Sequence, residues 1–168
     1  MKLYLLRHAP AFERDPMKFP DDSKRPLTRE GKKEMKKAAL GMKALGLAFD
    51  QVLCSPYLRA TETASIVAEM FKMKKKLFFW DLLKAENAAQ KVIPDLKTKC
   101  QKISSLLLVG HEPQLSALLS LLLIGKAGFP VTLKKGGLAC VKMAGPLTEK
   151  NTRLKWLLTP KQLGHCAA

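Results

Sequence analysis

The sequence predicts an α/β fold, arranged as a three-layer α/β/α sandwich around a central, mostly parallel sheet. Two observations support this fold class. Apolar segments of strand length alternate along the chain with longer segments whose apolar residues recur at helical spacing. One strand segment, "SSLLLVG", is apolar almost throughout, which is typical of a strand buried on both faces. Because a length of 168 residues suits one domain, we expect residues 1–168 to form a single domain.

The first half of the chain contains three predicted strands and two predicted helices. An apolar strand over residues 2–6 precedes a proline-rich loop over residues 10–26. The segment "PLTREGKKEMKKAALGMKALG" predicts a helix with Thr28 as N-cap and Gly46 just beyond its C-terminus. "FDQVLCSP" then predicts a short strand, "YLRATETASIVAEMF" a second helix, and "KLFFW" a third strand.

The second half of the chain predicts two helices and three strands. Residues 84–103 have helical character that Pro94 disturbs. "SSLLLVG" is a buried strand, and "PQLSALLSLLL" is a helix with Pro113 in its first turn. "LACVKMAG" and "RLKWLLTP" predict two closing strands joined by the hairpin loop "GPLTEKN". The remaining C-terminal residues are interpreted as a polar tail, and His165 within it receives no role.

The charge of the chain is strongly positive. Thirty Lys and Arg against fourteen Asp and Glu give a formal net charge of +16, which favours an anionic partner without identifying it. The lysine runs "KKEMKK" and "KMKKK" lack the interleaved aromatic residues that stack on bases. They therefore indicate solvated helix faces rather than a nucleic-acid surface.

Cysteine usage and hydropathy favour a cytoplasmic protein with no membrane association. Four scattered cysteines, without a C-x-x-C or zinc-type spacing, predict free thiols in a reducing compartment. The apolar run at the N-terminus is too short for a secretion signal. The most apolar segment, "LSALLSLLLI", has about half the length that a bilayer span requires.

Three predicted strands end in residues that can carry chemistry. Arg7 and His8 follow the first strand, Arg59 lies in the first turn of the helix after the second, and Gly110-His111 follow the buried strand. Ligands of open α/β sheets bind beyond the carboxyl ends of the strands. If these strands are neighbours, two arginines and two histidines converge on one spot.

Such a cluster predicts a phosphate site. Arginine forks match phosphate oxygens, and helix N-termini add free N–H donors. One of the histidines can also act as a nucleophile toward phosphorus, since nearby arginines keep an imidazole neutral. Its second ring nitrogen then has to donate to an acceptor such as a backbone carbonyl. The other histidine and the arginines would stabilise the charge of the transferred phosphoryl group.

The motifs "RHA", "PLTREG", "SPYLRATETA" and "VGHEP" resemble, in this order, those of the histidine phosphatase superfamily, whose hallmark is Arg-His-Gly. The resemblance covers about residues 1 to 124 and implies a phosphoglycerate mutase-like fold, with no metal or other cofactor. It implies that His8 is the phosphorylated nucleophile and that Arg7, Arg59 and His111 form the phosphate pocket. The short chain and the segment "RPLTREG" are most similar to the SixA-type phosphohistidine phosphatases.

The general acid that larger members use has no clear counterpart. Asp81 and Glu86 lie in the expected interval, Glu13 follows the first motif, and Glu86 is the first candidate. Sugar and alkyl phosphates release an alkoxide that needs a proton, whereas phosphohistidine releases an imidazole that can already carry one. The sequence therefore favours phosphohistidine as substrate, presented by an acidic histidine-phosphorylated protein domain.

Three alternatives remain open. The chain could be a broad small-molecule phosphomonoesterase, or a phosphate-binding module that has lost turnover, although the intact His8 argues against the module. A nucleic-acid binder is motivated only by the net charge.

Overall fold

A computed structural model of the protein describes residues 1–100, 103–128 and 130–167, without the side chain of Cys100. Among these residues there are six strands and five α-helices. The strands are β1 (Lys2–Arg7), β2 (Gln51–Cys54), β3 (Leu77–Phe79), β4 (Ser105–Gly110), β5 (Leu138–Met143) and β6 (Thr152–Leu158). The helices are α1 (Arg29–Ala44), α2 (Leu58–Met70), α3 (Val92–Cys100), α4 (Gln114–Ile124) and α5 (Pro160–His165).

One sheet contains all six of these strands, in the order β3-β2-β4-β1-β5-β6. The strands β3, β2, β4 and β1 are parallel, whereas β5 and β6 are antiparallel to their neighbours. Because β2, β4 and β1 are adjacent and parallel, their carboxyl ends meet at one edge of the sheet. The predicted mostly parallel sheet is confirmed, and so is the hairpin between β5 and β6.

Two apolar layers sandwich the sheet, because alternate residues of each strand point to opposite faces. Tyr4 and Leu6 of β1 pack in the cluster that contains the buried faces of α1 and α2. Leu3 and Leu5 pack in the cluster that contains α3 and α4. The four central positions of β1 are at most 1% exposed, so this strand is buried on both faces as the three-layer prediction requires.

The ends of α1 form as the sequence predicts. The Thr28 hydroxyl accepts a hydrogen bond from the N–H of Gly31 at 2.9 Å, which satisfies a donor that the helix leaves free. Gly46 has a φ of 67°, a left-handed conformation that favours glycine after a helix. At the start of α1 the backbone of Pro10 packs directly on Gly31, so the helix N-terminus is fixed against the loop that follows β1.

The structure differs from the sequence prediction in two segments. Residues 84–103 do not form one helix: a single-turn 3-10 helix at Ala89–Lys91 precedes α3, and Pro94 lies in the first turn of α3. There its missing N–H has no consequence for the helix, because first-turn donors have no intrahelical partner. Residues 101 and 102 of the predicted helix lie outside the described residues. The expected polar tail is wrong in part, because Pro160–His165 form α5, which packs on α1.

Cys54, Cys140 and Cys166 have free thiols, as predicted for these three residues. Among the described helices, none combines the length and the apolar composition of a membrane span.

Candidate active site

The predicted site residues converge at the carboxyl edge of the sheet. In the register of β1 and β4, Arg7 lies opposite Gly110, so His8 and His111 leave neighbouring strands at the same level. Their ring centroids are 5.2 Å apart. The N–H of His8 also donates to the carbonyl of Gly110 at 3.0 Å, which ties the two strand ends together.

His8 is held in one tautomer. Its Nδ1 lies 2.7 Å from the carbonyl oxygen of Ala9. Since a carbonyl only accepts hydrogen bonds, the proton resides on Nδ1 and the lone pair on Nε2. The ring is 7% exposed, and burial, aided by the positive charges of Arg59 and Arg7, lowers the pKa of His8 to about 4. At neutral pH the imidazole is therefore uncharged and able to act as a nucleophile.

The Ala9 backbone is itself fixed by Thr63. The fully buried hydroxyl of Thr63 accepts the N–H of Ala9 at 3.0 Å and donates to the carbonyl of Arg59 at 2.7 Å. The Thr63 side chain thus connects Ala9, which orients His8, to the backbone of Arg59. We refer to Thr63, Ala9 and Arg59 as the Thr63 bridge.

Arg7 is anchored by the strap, the segment of residues 133–137 that precedes β5. Its Nη1 donates to the carbonyl of Leu133 at 2.8 Å, and its backbone N–H donates to Gly137 at 3.1 Å. The N–H of Gly136 donates to the carbonyl of His8 at 3.0 Å. The strap therefore fixes the backbone on both sides of the Arg7–His8 peptide.

Arg59 is 4% exposed and engages a carboxylate from the loop over residues 10–26. Its Nη2 lies 3.1 Å from a carboxylate oxygen of Asp22, and its Nη1 donates to the Asp22 carbonyl at 2.8 Å. Arg25 binds the second oxygen of the same carboxylate through Nε at 2.8 Å. Burial alone would raise the pKa of Asp22, but the hydrogen bond from Arg25 and the charges of Arg59 and Arg25 lower it.

His111 is oriented by Ser55. Its Nε2 lies 2.8 Å from the Ser55 hydroxyl, which also accepts the N–H of Tyr57 at 3.3 Å. Because the serine has one proton to give, donation to Nε2 satisfies all three groups and leaves the His111 proton on Nδ1. Burial, followed by the charge of Arg59, lowers the pKa of His111 to about 3, so this ring is also neutral.

Unpaired hydrogen-bonding atoms concentrate in this site. Among the described residues, four buried side-chain nitrogen or oxygen atoms have no hydrogen-bond partner within the protein. Three of them belong to predicted site residues: Nε of Arg7, Nε of Arg59 and Nδ1 of His111. Buried polar groups are normally paired, so three donors around one nucleophile indicate a binding site for an anion.

Glu86 is separated from this cluster by the side chain of Tyr57. Its carboxylate accepts a 2.6 Å hydrogen bond from the hydroxyl of Tyr57, whose ring centroid is 5.2 Å from that of His111. This hydrogen bond lowers the pKa of the exposed Glu86 and, with burial, raises the pKa of Tyr57 to about 12. Of the other two carboxylates considered, Glu13 is exposed and Asp81 pairs with Lys84 at 3.2 Å.

Sequence reasoning missed several residues that shape the site. Asp22 and Arg25 lie in a loop of scattered charges and prolines, and Thr63 lies within a helix, so no local pattern distinguishes them. The strap is 126 residues from Arg7 in sequence, and only the folded chain reveals this contact. For Tyr57, the signal was its place between Ser55, which follows β2, and Arg59 of α2.

Comparisons with known proteins agree with this geometry. Residues 3–85 match the model of the histidine phosphatase superfamily (branch 1). An uncharacterized protein of Picosynechococcus sp. is 30% identical over 165 residues, which cover 97% of this chain and 99% of that protein. The structure of the protein histidine phosphatase SixA complexed with tungstate superposes with a TM-score of 0.83 at 25% identity, covering 97% of this chain and 99% of that one. A protein assigned as the phosphohistidine phosphatase SixA of Agrobacterium tumefaciens gives a TM-score of 0.77 at 25% identity, with 95% and 97% of the two chains covered.

Proposed function

Because the chain belongs to the histidine phosphatase superfamily and is a phosphatase, we propose that it hydrolyses phosphohistidine in proteins through a covalent intermediate on His8. One observation carries this proposal. The lone pair of Nε2 on the neutral His8 lies in a cluster with three buried donors that lack a protein partner. A nucleophile beside a set of unpaired anion-binding groups is what phosphoryl transfer to a side chain requires.

In the first step, Nε2 of His8 attacks the phosphorus atom of the substrate. A bond forms between Nε2 and phosphorus while the P–N bond to the substrate imidazole breaks, and its electron pair stays with the leaving nitrogen. The proton of His8 stays on Nδ1 and is donated in a hydrogen bond to the Ala9 carbonyl, which stabilises the positive charge that the ring acquires. The guanidinium groups of Arg7 and Arg59 and Nδ1–H of His111 stabilise the phosphoryl oxygens.

In the second step, a water molecule attacks the phosphorus of phospho-His8. The new P–O bond forms as the P–Nε2 bond breaks. The electron pair of the broken bond returns to Nε2, the protons of the water leave with the inorganic phosphate, and neutral His8 is restored. The same three donors act again, because the charge of the phosphoryl oxygens is the same in both steps. Removing one such donor typically costs roughly 10²–10³ in rate.

The leaving group favours phosphohistidine over a phosphate ester. An alkoxide needs a proton from a positioned acid, whereas a substrate imidazole can leave as a neutral ring. Glu86 as general acid remains a prediction, and its lowered pKa weighs against it, because the carboxylate carries no proton at neutral pH. The two SixA proteins described above support the same substrate class, since both are named as histidine or phosphohistidine phosphatases.

The same proposal includes the domain organisation of the protein and the compartment in which it acts. A single sheet that takes β1 from the N-terminal end and β6 from the C-terminal end supports one histidine phosphatase domain over residues 1–168. The free thiols of Cys54, Cys140 and Cys166 support a reducing, cytoplasmic setting.

The experiment compares the protein with its His8→Ala variant on three substrates: a histidine-phosphorylated protein domain, a phosphoserine peptide and an aryl phosphate. We expect fast loss of phosphate from the histidine domain, dependent on His8, and slow hydrolysis of both esters. Faster ester hydrolysis would instead favour a phosphomonoesterase. Binding of phosphate without turnover of any of the three would favour a phosphate-binding module.

A further inference from the structure

Two exposed lysines lie beside the site and outside the phosphate pocket. Lys134 and Lys135 belong to the strap, and neither forms an ion pair with another described residue. The residue before them, Leu133, accepts the 2.8 Å hydrogen bond from Arg7, and the residue after them, Gly136, donates to His8. The two lysines are therefore fixed next to the nucleophile by backbone contacts on both sides.

Cations also lie on the other side of the pocket. The strap contacts the site from the side of β1 and β5, whereas the loop over residues 10–26 reaches it from the side of α2, through Asp22 and Arg59. This loop carries Arg25, whose charge lowers the pKa of both His8 and His111, and the exposed Arg14. This loop carries as many acidic as basic residues, and Arg25 pairs with Asp22. Arg14 is the cation on this side that forms no ion pair with another described residue.

These cations exceed what one phosphoryl group uses. The pocket already offers the buried donors of Arg7, Arg59 and His111. Because Lys134 and Lys135 are exposed, their ammonium groups are available to a ligand that extends beyond the phosphate. Phe12, which is 47% exposed and lies two residues before Arg14 in sequence, adds an apolar group of the kind that protein interfaces use as an anchor.

We propose that Lys134 and Lys135, with Arg14 across the pocket, form the docking surface for an acidic protein domain that carries the phosphohistidine. The proposal rests on the proposed function and adds the surface that selects the partner. Charges at the rim of an interface act mainly on the association rate, because they steer a complementary surface before contact. The net charge of +16 gives this steering the required sign.

The chain offers a matched control for the test. Lys75 and Lys76 are also exposed and form no ion pair with another described residue, but they precede β3. Because β3 is parallel to β2, its N-terminal end lies at the edge of the sheet opposite the site. Lys134→Glu/Lys135→Glu and Lys75→Glu/Lys76→Glu change the net charge equally, so only the position of the charge differs.

The experiment measures kcat/KM of the protein and both double variants on an acidic histidine-phosphorylated domain and on free phosphohistidine. At low ionic strength we expect the strap variant to lose roughly 10-fold or more on the domain, and much less on the free amino acid. The loss should shrink as salt is added, since salt screens exposed charges. The control variant should show no such preference. Equal behaviour of the two double variants on the domain would overturn the docking surface.

The outcomes separate this proposal from the proposed function. If the unaltered protein cleaves both forms of phosphohistidine and the strap variant does so equally well, the docking surface is wrong and the proposed function stands. If the unaltered protein cleaves neither, both are wrong. Fluorescence anisotropy with a labelled DNA duplex provides the last comparison. Duplex binding that disappears in the strap variant, with unchanged kinetics on the domain, would assign the lysines to nucleic acid and overturn the proposal.

Discussion

Replacing Thr63 with valine removes the hydroxyl that links Ala9, which orients His8, to Arg59 in α2. In the Thr63 bridge this group accepts the N–H of Ala9 at 3.0 Å and donates to the carbonyl of Arg59 at 2.7 Å. Valine has nearly the same shape and opens no cavity at this fully buried position. The substitution therefore removes two hydrogen bonds and leaves the packing in place.

The expected cost in stability follows from the buried Ala9 N–H. A buried donor left without a partner costs about 1–3 kcal/mol, so the free energy of unfolding should fall by that amount. The control, Thr63→Ser, keeps the hydroxyl and loses one methyl group, at a cost of about 1 kcal/mol. Stability alone does not separate the two variants, and the kinetics must do so.

Activity is the sharper measurement, because Ala9 also accepts the hydrogen bond that fixes His8. A loosened Ala9 misplaces the nucleophile, and a shift near 1 Å can cost roughly 10²-fold in rate. We expect kcat of Thr63→Val on a phosphohistidine substrate to fall by at least about 10-fold, while KM changes little. Thr63→Ser should stay within about 3-fold of the unaltered protein. Unfolding in urea gives the stability, and equal kcat losses for valine and serine would refute the role of the hydroxyl.

Four further predictions concern charge and protonation. Because the pKa of His8 is lowered from 6.5 to about 4 and that of His111 to about 3, kcat/KM should hold from neutral pH to about pH 5. Because the folded state resists protonation of His8, the free energy of unfolding falls as the pH drops below about 6.5. In urea unfolding at pH 5, the unaltered protein should have lost about 2 kcal/mol more of this free energy than His8→Ala. Equal losses in the two proteins would contradict this prediction. Asp22→Asn removes the carboxylate that competes for Arg59, so the inhibition constant for inorganic phosphate should improve by roughly 2–5-fold, whereas weaker inhibition would count against competition. Glu86→Gln should change kcat on phosphohistidine by less than about 3-fold, and a loss of 10²-fold or more would make Glu86 the general acid.

The sequence was sufficient to predict a mostly parallel sheet and the strand ends that carry the candidate site residues, whereas the adjacency of those strands was an assumption that the strand order confirms. The strands before His8 and His111 are apolar almost throughout, a pattern typical of strands buried on both faces. Because these two strands are parallel neighbours, their carboxyl ends lie together. Arg59 was predicted as a site residue because it lies in the first turn of α2, the helix that follows β2. These predictions depend on local patterns and on one rule of sheet topology.

What the sequence did not reveal depends on contacts between distant segments. Asp22 is 37 residues from Arg59, and Thr63 is 54 residues from Ala9, so only folding makes them partners. The helix α5 is a different case, because its signal was local. Thr159 and Gln162 form a capping box around Pro160 at the first position of the helix, a pattern that predicts a helix start.

The most direct test of the account is to trap the phosphoenzyme. The protein is mixed with a histidine-phosphorylated domain in a single turnover, quenched with alkali, which preserves phosphohistidine, and the phosphorylated residue is located by mass spectrometry. The account predicts phosphate on His8, appearing and decaying at rates no slower than kcat, and its absence in His8→Ala. Release of inorganic phosphate at the full rate with no phosphate on His8, or with phosphate on another residue, would contradict it.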